Sequence, residues 1–347
     1  MKQKRILIVR QDRIGDVVLS TPISKAIKKQ WPGCFLAVLV RNYTKPIYLN
    51  NPYVDEIIVS EDIDWKGIGG FLKKIKFIRK FKFTHAIMLL PSERINYLLF
   101  FAGIKIRVGV GYKFFQFITF VKGVSRHKYI PLKHEADYCM DLARKIGVES
   151  NDINTEIFLT DKEKEEVKII RHKLSDKNKI VIGIHSTNGN SAPNLNEDDY
   201  LQLIKMLQQT NCFKIVITDN SIPIKLQNIE DVEYPNIESD LRKTILNISA
   251  LDCLISSSTG PMHIAAALKV KTISLFCPLT ACSPQLWGPS GNVNKIILPE
   301  ENYCSIKCPG DPKICTFEGE SELMIRNIKN SLKELFADNK CLDSIKK

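Results

Sequence analysis

Short apolar segments of strand type recur along the first part of the chain and are separated by stretches whose pattern suits helices. Continuous apolar runs are typical of strands that are buried on both faces of a parallel sheet. Because parallel neighbours need a crossover between them, the alternation predicts an α/β fold with a doubly wound parallel sheet. The expected strands are Arg5–Arg10, Phe35–Val40, Glu56–Val59, His85–Leu90 and Ile106–Val110.

Helical patterns fill the intervals between these strands. A helix that contains Pro22 is expected after the loop QDRIGD, and a second helix is expected at Lys66–Lys80. A third helix, His134–Ile146, should end at Gly147, because glycine readily adopts the backbone conformation that closes a helix. These elements together predict a first domain over residues 1–160.

The alternation restarts after a polar, charge-rich connection at residues 148–178, which holds a strand-like segment at Glu156–Thr160 and a helix at Asp161–Leu174. A chain of 347 residues is long for a single core. We therefore expect a second doubly wound domain over residues 161–347, facing the first across a cleft, although its last helix could pack back on the first domain. Its other predicted elements are strands at Ile180–His185, Lys214–Thr218, Leu251–Ile255 and Thr272–Phe276, and helices at Asp198–Gln209, Arg242–Ser249 and His263–Leu268.

The turn at Thr259–Gly260 joins a predicted strand to a helix of small residues. Threonine is a favourable N-cap, and a proline such as Pro261 is tolerated in the first helical turn. The free N–H groups and the positive dipole end of such a helix suit a phosphate or diphosphate, and glycine permits close approach to the backbone. An ordinary turn without a ligand is the alternative. His263 is either a donor to the ligand or a core histidine.

Asp16 stands where the first strand gives way to a helix, directly after Gly15. Open α/β sheets bind ligands at this rim of the sheet. The carboxylate is therefore a candidate general base held at a cleft. It is equally compatible with an acidic residue that is favoured only by the positive end of the helix dipole.

Positive charge is concentrated in the first half of the chain. Residues 1–150 hold 27 Lys and Arg against 12 Asp and Glu, whereas residues 151–347 hold 23 against 26. An anionic partner of the first half is one reading of this asymmetry, and a solvated basic face is the other. The segment Lys73–Lys82 suits either a helix face or a membrane-surface patch. Nucleic acid is not predicted as a partner, since no zinc-finger spacing and no aromatic RNA-binding signature occur.

Several classes of protein are disfavoured by what the sequence lacks. No apolar run approaches the length of about 18 residues that spans a bilayer, and the N-terminus enters a strand without the features of a signal peptide, so a cytoplasmic location is predicted. No GxGxxG follows the first strand, which argues against a dinucleotide dehydrogenase. The triplet Asp62-Ile-Asp64 is assigned to a surface loop rather than to a metal site.

The chain has ten cysteines, which are scattered and mostly core-like, as is usual in a reducing compartment. Cys304, Cys308 and Cys315 lie together in a loop rich in proline and glycine. A zinc site with Cys277 or Cys282 as the fourth ligand is conceivable, but the spacing is not that of a standard knuckle. Loop packing or a loose thiol pair is therefore the favoured interpretation, and no metal is predicted.

Two segments resemble glycosyltransferase family 9, the family of the ADP-heptose:lipopolysaccharide heptosyltransferases. They are RILIVRQDRIGDVVLSTPISKAIKKQWP near the start and SSSTGPMHIAAALKVKTISLFCP near the end, with weaker matches such as NPYVDEIIV and HEADYCMDLARKIGV in order between them. The resemblance implies a GT-B fold with an acceptor domain first and a nucleotide-sugar domain second. It also implies inverting transfer without a metal or cofactor.

The same resemblance implies roles for individual residues. Asp16 matches the catalytic base of the family, and the acceptor is expected at Arg13, Gly15 and Arg94. The partners implied are a nucleotide sugar and an anionic glycan or glycolipid, such as the lipopolysaccharide core, reached at the cytoplasmic face of the inner membrane. The residues implied in donor binding are Ser186, Thr187, Asn188, Ser258, Thr259, Gly260, Pro261 and His263.

Three positions in the predicted donor half depart from the family pattern. Ser258 stands where an Asp is common, the segment Ala192–Asn196 replaces a Lys before a Trp-Pro pair, and Asp219–Pro223 replaces a glycine and a downstream glutamate. The resemblance makes ADP-heptose the leading donor, and the three departures leave another nucleotide sugar open. The alternatives are a diverged non-catalytic nucleotide-sugar- or carbohydrate-binding protein, and a nucleotide-sugar epimerase or dehydrogenase.

Overall fold

The computed structural model describes residues 3–62, 67–175, 179–339 and 341, and the chain divides into two compact units, Met1–Phe158 and Leu159–Lys347. Asp64 of the acidic triplet lies outside the described residues. Within them, no helix combines the length and the apolar character that crossing a membrane requires.

The N-terminal unit is built on parallel strands with helices between them. Its strands are β1 (Arg5–Val9), β2 (Phe35–Val40), β3 (Glu56–Val59), β4 (His85–Met88), β5 (Ile106–Val110) and β6 (Lys122–Val124). Its helices are α1 (Ile14–Leu19), α2 (Thr21–Gln30), α3 (Gly67–Lys80), α4 (Glu93–Phe101), α5 (Phe114–Ile118) and α6 (Glu135–Arg144), with short 3₁₀ helices at Asn42–Ile47, Ser60–Asp62 and His127–Tyr129. The sheet order is β3-β2-β1-β4-β5-β6, and every pair is parallel.

The C-terminal unit has the same construction. Its strands are β7 (Ile180–His185), β8 (Phe213–Ile217), β9 (Val232–Glu233), β10 (Cys253–Ser257), β11 (Lys271–Leu275) and β12 (Asn294–Ile297). Its helices are α7 (Asp161–Leu174), α8 (Glu197–Gln208), α9 (Leu241–Ser249), α10 (Gly260–Ala267), α11 (Pro284–Trp287), α12 (Tyr303–Ile306) and α13 (Ser321–Leu335), with 3₁₀ helices at Ile224–Leu226 and Thr280–Cys282. The parallel sheet has the order β12-β11-β10-β7-β8-β9.

Both sheets have the same order when each is numbered from its own first strand. The predicted α/β fold with two doubly wound sheets is confirmed. In such a sheet the strand order reverses beside the first strand, and ligands bind outside the carboxyl ends of the strands at this switch point. The switch lies between β1 and β4 in the first unit and between β7 and β10 in the second. The loops that follow these four strands are therefore where each unit should carry its chemistry.

Local sequence explains where several helices begin. Thr160 accepts a hydrogen bond from the backbone of Glu163 while the Glu163 side chain accepts from the Thr160 backbone, and this capping box starts α7 where the sequence predicts. The expected helix around Pro22 consists of two helices, because the chain bends at Ser20 and Pro22 occupies the first turn of α2. Most of the Lys73–Lys82 segment lies in the amphipathic helix α3, which ends at Lys80, with Ile75 and Ile78 in the core and most lysines outward.

The strand predicted at Glu156–Thr160 is wrong. This segment has no regular secondary structure and lies along α2. The Glu156 N–H donates to Oγ1 of Thr21 over 3.3 Å, and the Glu156 carboxylate lies 3.0 Å from Lys25 Nζ. Because the backbone is satisfied by a helix side chain, the segment needs no neighbouring strand.

The last helix, α13, belongs to the C-terminal unit, although the sequence left open a packing on the first domain. Its apolar residues Met324, Ile325, Ile328 and Leu332 are part of the core beneath β7 to β11. Lys271 at the start of β11 donates to the carbonyl oxygen of Leu335 over 2.6 Å. The amphipathic stripe of α13 is thus buried within its own unit.

The sequence did not indicate the one disulfide that the described residues contain. Cys212, just before β8, forms a disulfide with Cys341, and the two Cα atoms lie 5.7 Å apart. Eight cysteines remain free, and six of these are buried. The pairing escaped the sequence argument because its partners are 129 residues apart and no motif connects them.

Candidate functional site

Asp16 lies in the first turn of α1, immediately after β1, at the switch point of the N-terminal sheet. Arg13 occupies the N-cap position with an exposed side chain, and Gly15 and Asp16 are half-buried. The helix begins here because an apolar strand ends at Val9 and a polar loop separates it from Val17, Val18 and Leu19, which are buried. The strand-to-helix junction thus presents one carboxylate at the ligand-binding edge.

A buried arginine holds this carboxylate. Arg10, which is only 2% exposed, donates from Nη2 to Oδ1 of Asp16 over 2.6 Å. Its Nε lies 2.8 Å from Oδ1 of Asp12, and its Nη1 donates to the Leu89 carbonyl after β4 over 3.1 Å. Arg10 therefore spans the switch point, because it connects the loop after β1 to the loop after β4.

A second ion pair supports Arg10 from α6. Glu135 is 1% exposed, and its Oε1 lies 3.5 Å from Nη2 of Arg10. Arg126 donates to both carboxylate oxygens of Glu135, over 2.7 and 2.8 Å. The charges thus alternate along the series Arg126, Glu135, Arg10 and Asp16, and such bidentate pairs fix geometry well. No motif in the sequence singles out Arg10, Glu135 or Arg126. For Arg10 the sequence offers one signal, which is its charge at the end of an apolar strand.

Burial and this charge network set the proton affinity of the site. Burial raises the pKa of Asp16 above its ordinary value, while the adjacent Arg10 opposes the rise and Glu135 adds to it. Burial also raises the pKa of Asp12 to about 6, again against the pull of Arg10. A carboxylate with a raised pKa is a stronger base than a free aspartate. Once ionised, Asp16 can therefore accept a proton more readily than a solvent-exposed aspartate.

Arg94, the third residue predicted to contact an acceptor, lies in the first turn of α4 with an exposed side chain. Helix α4 follows β4, which pairs with β1, so Arg94 and Asp16 leave the sheet at the same edge. The structure thus brings the elements that carry Arg13, Gly15, Asp16 and Arg94 to one edge of one sheet.

In the C-terminal unit, Ser186 and Thr187 follow β7 and are held by a fully buried carboxylate. Oδ2 of Asp219 accepts from the Ser186 N–H over 2.8 Å and from its hydroxyl over 2.9 Å. Oδ1 accepts from the Thr187 N–H over 2.8 Å and from its hydroxyl over 2.5 Å. These four N–H and O–H groups, which the resemblance predicts at the binding site of the nucleotide sugar, therefore donate hydrogen bonds to Asp219.

The neighbouring groups reinforce this loop. Asn188 donates from its amide to the carbonyl oxygen of Ala192. Nε2 of His185 lies 3.6 Å from Oδ1 of Asp219, and burial lowers the pKa of this histidine despite the opposing carboxylate. Because the imidazole of His185 is neutral, the four N–H and O–H donors of Ser186 and Thr187 are the groups that offset the negative charge of Asp219. A buried carboxylate thus lies at the base of the loop, which disfavours a phosphate bound directly against it.

The turn at Thr259–Gly260 differs from the loop after β7, because its first backbone N–H groups are available to a ligand. Thr259 occupies the N-cap position of α10 in an extended conformation, but its side chain makes no capping hydrogen bond. Since the first N–H groups of a helix have no partner within the helix, the unmade cap leaves the amides of Gly260 and Met262 to other acceptors. Pro261 adds no N–H in this turn. The turn is therefore suited to a diphosphate.

The structure brings the two predicted donor segments together at the second switch point. Ser256 of β10 pairs with His185 of β7 in register, so the loops that follow both strands leave the same edge. The Ser191 hydroxyl donates to the carbonyl oxygen of Ser258 over 3.5 Å. His263, by contrast, is buried on α10 with its neighbours Met262 and Ile264.

A pocket of about 540 Å³ opens beside the loop after β7. Ser186, Thr187 and Asn188 line it, together with Lys225 and Lys313. Ser258, Thr259 and Gly260 are not among the residues that line it. The pocket therefore contacts one of the two predicted donor segments.

The loop cysteines do not form a metal site in the described part of the chain. No three His, Cys, Asp or Glu side chains among the described residues are arranged to hold a metal ion. Burial and the nearby Cys277 raise the pKa of Cys304 to about 11. Cys315 is buried and packs in the core of the unit.

Comparison with known proteins identifies the family. The model of glycosyltransferase family 9 (heptosyltransferase) matches residues 72–311. The chain belongs to glycosyltransferase family 9. The matched residues begin after Asp16 and contain both predicted donor segments. The protein is therefore a glycosyltransferase, as the sequence resemblance predicts.

Curated relatives agree with this assignment. A Haemophilus influenzae protein named "Putative glycosyltransferase" is 26% identical over 351 residues, which cover 96% of each chain. A Campylobacter jejuni protein named lipooligosaccharide heptosyltransferase 2 is 29% identical over 114 residues, which cover 32% of this chain and 34% of the relative.

Solved structures agree with the fold. A family 9 glycosyltransferase from Veillonella parvula superposes with a TM-score of 0.78 at 19% identity, covering 96% of this chain and 97% of the other. The E. coli ADP-heptose lipopolysaccharide heptosyltransferase II superposes with a TM-score of 0.72 at 17% identity, covering 95% and 99%. The GT-B fold expected from the resemblance is therefore confirmed.

Proposed function

We propose that this glycosyltransferase moves a sugar, with heptose as the leading candidate, from a nucleotide diphosphate to an anionic glycan of the cell envelope, with inversion at the anomeric carbon. Support for the substrates comes from the relatives, whose names specify lipooligosaccharide or ADP-heptose. The excess of basic residues in the first half of the chain favours an anionic acceptor such as the lipopolysaccharide core.

In the proposed reaction, an acceptor hydroxyl oxygen attacks the anomeric carbon of the donor sugar. The bond from that carbon to the diphosphate oxygen breaks, and its electron pair leaves with the diphosphate. The hydroxyl proton passes to Asp16. The observation that carries this role is the hydrogen bond of 2.6 Å from buried Arg10, because it orients Asp16 at the binding edge and keeps it ionised.

Negative charge develops on the departing diphosphate and requires stabilisation. We assign this task to the uncapped turn at Thr259–Gly260, because the hydroxyls and amides of Ser186 and Thr187 are engaged by Asp219. Ser186, Thr187 and Asn188 then shape the edge of the donor site. Since backbone N–H groups supply the positive potential, we expect transfer to continue in the presence of EDTA. Activity that EDTA abolishes and a divalent cation restores would contradict this assignment.

The experiment that tests the catalytic role compares Asp16→Asn with Asp12→Asn. Both carboxylates contact Arg10 and both substitutions preserve shape, so folding should be affected similarly. We expect Asp16→Asn to lower kcat by roughly 10²- to 10⁴-fold, the usual contribution of general base catalysis, whereas Asp12→Asn keeps most of it. Binding of the nucleotide diphosphate should not change, since its proposed site lies in the other unit. Loss of turnover in Asp12→Asn alone would transfer the role to Asp12.

The donor is best identified by melting temperature in the presence of ADP, UDP, GDP and CMP. A ligand at about 100 times its Kd stabilises the native state by about 2.7 kcal/mol, provided that it does not bind the unfolded chain. We expect ADP to give the largest increase. A larger increase with another nucleotide would replace heptose as the leading sugar. Binding without turnover on any acceptor would indicate a binding protein that has lost catalysis.

A further inference from the structure

Helix α5 and the residues that flank it bury polar side chains and expose aromatic ones, which is the reverse of an ordinary amphipathic helix. Gln116 and Thr119 are each 2% exposed. The outward side chains are 75–79% exposed, and we call them the aromatic surface: Tyr112, Phe114, Phe117 and Phe120. Large apolar groups grouped in this way commonly mark an interaction site.

The buried polar side fixes α5 in this orientation. Oε1 of Gln116 accepts from the Lys113 N–H over 2.8 Å, and its Nε2 donates to the Val110 carbonyl over 3.2 Å. The amide of Asn96 in α4 donates to Oγ1 of Thr119 over 2.7 Å. Any Cβ at Gly109 would lie 2.8 Å from Gln116 Nε2, so the helix rests directly on β5. The aromatic residues are therefore held outward by hydrogen bonds, and rotation of α5 to bury them would break these bonds.

The surroundings of the aromatic surface carry positive charge. Between Glu93 and Glu135 the sequence has no Asp or Glu and eight Lys and Arg residues. Lys113, Lys122 and Lys128 are exposed on the segment that carries or follows α5. Aromatic rings flanked by lysines match the boundary between acyl chains and anionic headgroups, where rings insert and ammonium groups meet phosphates.

We propose that the aromatic surface docks the N-terminal unit onto an anionic lipid bilayer. This inference goes beyond the transfer reaction, because it concerns where the enzyme works and does not depend on which sugar it moves. The surface follows the carboxyl end of β5, and β5 pairs with β4, whose following helix carries Arg94. Docking through it would place the binding edge that contains Asp16 beside a lipid-anchored acceptor.

The test is co-sedimentation of the full chain with two kinds of vesicle, phosphatidylcholine alone and phosphatidylcholine containing phosphatidylglycerol. We expect binding to the second kind, weakened by added NaCl because the lysine contribution is screened. The double variant Phe114→Ser/Phe117→Ser should partition roughly tenfold or more weakly, since two exposed rings no longer insert. A Phe117→Trp variant should show a blue shift of its fluorescence on binding the anionic vesicles.

The matched control is Ile224→Ser, which removes an equally exposed apolar side chain, 84% exposed, from the C-terminal unit. It should sediment like the unmodified protein, and the rise in melting temperature with ADP should be the same in every variant. Equal sedimentation of the double variant, or no binding of the unmodified chain to anionic vesicles, would overturn the proposal. A dimer that Phe117→Ser dissolves, without vesicle binding, would instead assign the surface to self-association. Neither result would affect the role proposed for Asp16.

Discussion

Nη2 of Arg10 lies 2.6 Å from Oδ1 of Asp16. The same nitrogen lies 3.5 Å from Oε1 of Glu135, a residue that is 125 positions away in the sequence. One buried guanidinium thus joins the candidate base to α6. The two neighbours act on the pKa of Asp16 with opposite signs, because Arg10 lowers it and Glu135 raises it. The pH range over which Asp16 is ionised is therefore a property of the whole network.

The first prediction concerns the acid limb of the pH–rate profile, which is the range in which activity falls as the pH is lowered. Asp16 accepts a proton only when ionised, so kcat/KM should fall as pH drops through its pKa. Because burial raises that pKa, the loss should begin at a higher pH than for a solvent-exposed aspartate. A pH–rate profile measures this limb, and the residual activity of Asp16→Asn should lack it. An identical limb in Asp16→Asn would show that another group titrates.

The second prediction separates the two neighbours of Asp16. Glu135→Gln removes a negative charge, so the acid limb should move to lower pH. Arg10→Gln removes the positive charge and should move the limb to higher pH. The measurement is the pH dependence of kcat/KM in each variant, with near-UV circular dichroism as the check of folding. Shifts of the same sign in both variants would contradict the electrostatic account.

The third prediction concerns Asp219, whose buried carboxylate accepts four hydrogen bonds from Ser186 and Thr187. Asp219→Asn turns an NH₂ group toward two of these donors, and we expect a loss of roughly 2–4 kcal/mol in the free energy of unfolding. Urea denaturation measures the loss. The control is Asp198→Asn, which breaks an exposed pair with Lys225 and should leave the midpoint unchanged. Equal midpoints for both variants would count against this role.

The fourth prediction concerns the disulfide between Cys212 and Cys341. In denaturant without reductant eight thiols should react, and ten after reduction. Because the bond closes a loop of 129 residues, reduction should lower the free energy of unfolding by about 2–5 kcal/mol. A Cys341→Ser variant should be insensitive to reductant. Ten reactive thiols before reduction would show that the purified protein lacks the bond.

The strands that the sequence predicts well are those that consist mostly of apolar residues. Phe35–Val40, Ile106–Val110 and Ile180–His185 form as expected. The edge strand Glu56–Val59 also forms as expected, because its Ile-Ile-Val run is apolar although Glu56 is exposed. The strands Lys122–Val124, Val232–Glu233 and Asn294–Ile297 were missed. Each lies at an edge of its sheet, where shortness and polar residues hide the pattern.

The predictable parts of the candidate site are those whose position follows from the order of strands and helices along the chain. The positions of Asp16 and of the Thr259–Gly260 turn follow from a strand that runs into a helix. The bonds of Arg10 to Glu135 and of Asp219 to Ser186 were not predictable, because they join distant segments and depend on side-chain geometry. Residue spacing in the sequence therefore could not show that the backbone N–H groups of Ser186 and Thr187, which follow β7, already donate to Asp219.

The shared strand order of the two sheets has a consequence for how enzymes of this design diversify. Each half carries its own switch point, so the aspartate and the helix turn sit on separate scaffolds of identical plan. Under the proposed roles, a substitution that alters recognition of the activated sugar in one half would leave the proposed base in the other half intact. The unusual residues Ser258 and Asp219 both fall in the second half. A change of sugar would then not require a change of the proposed base.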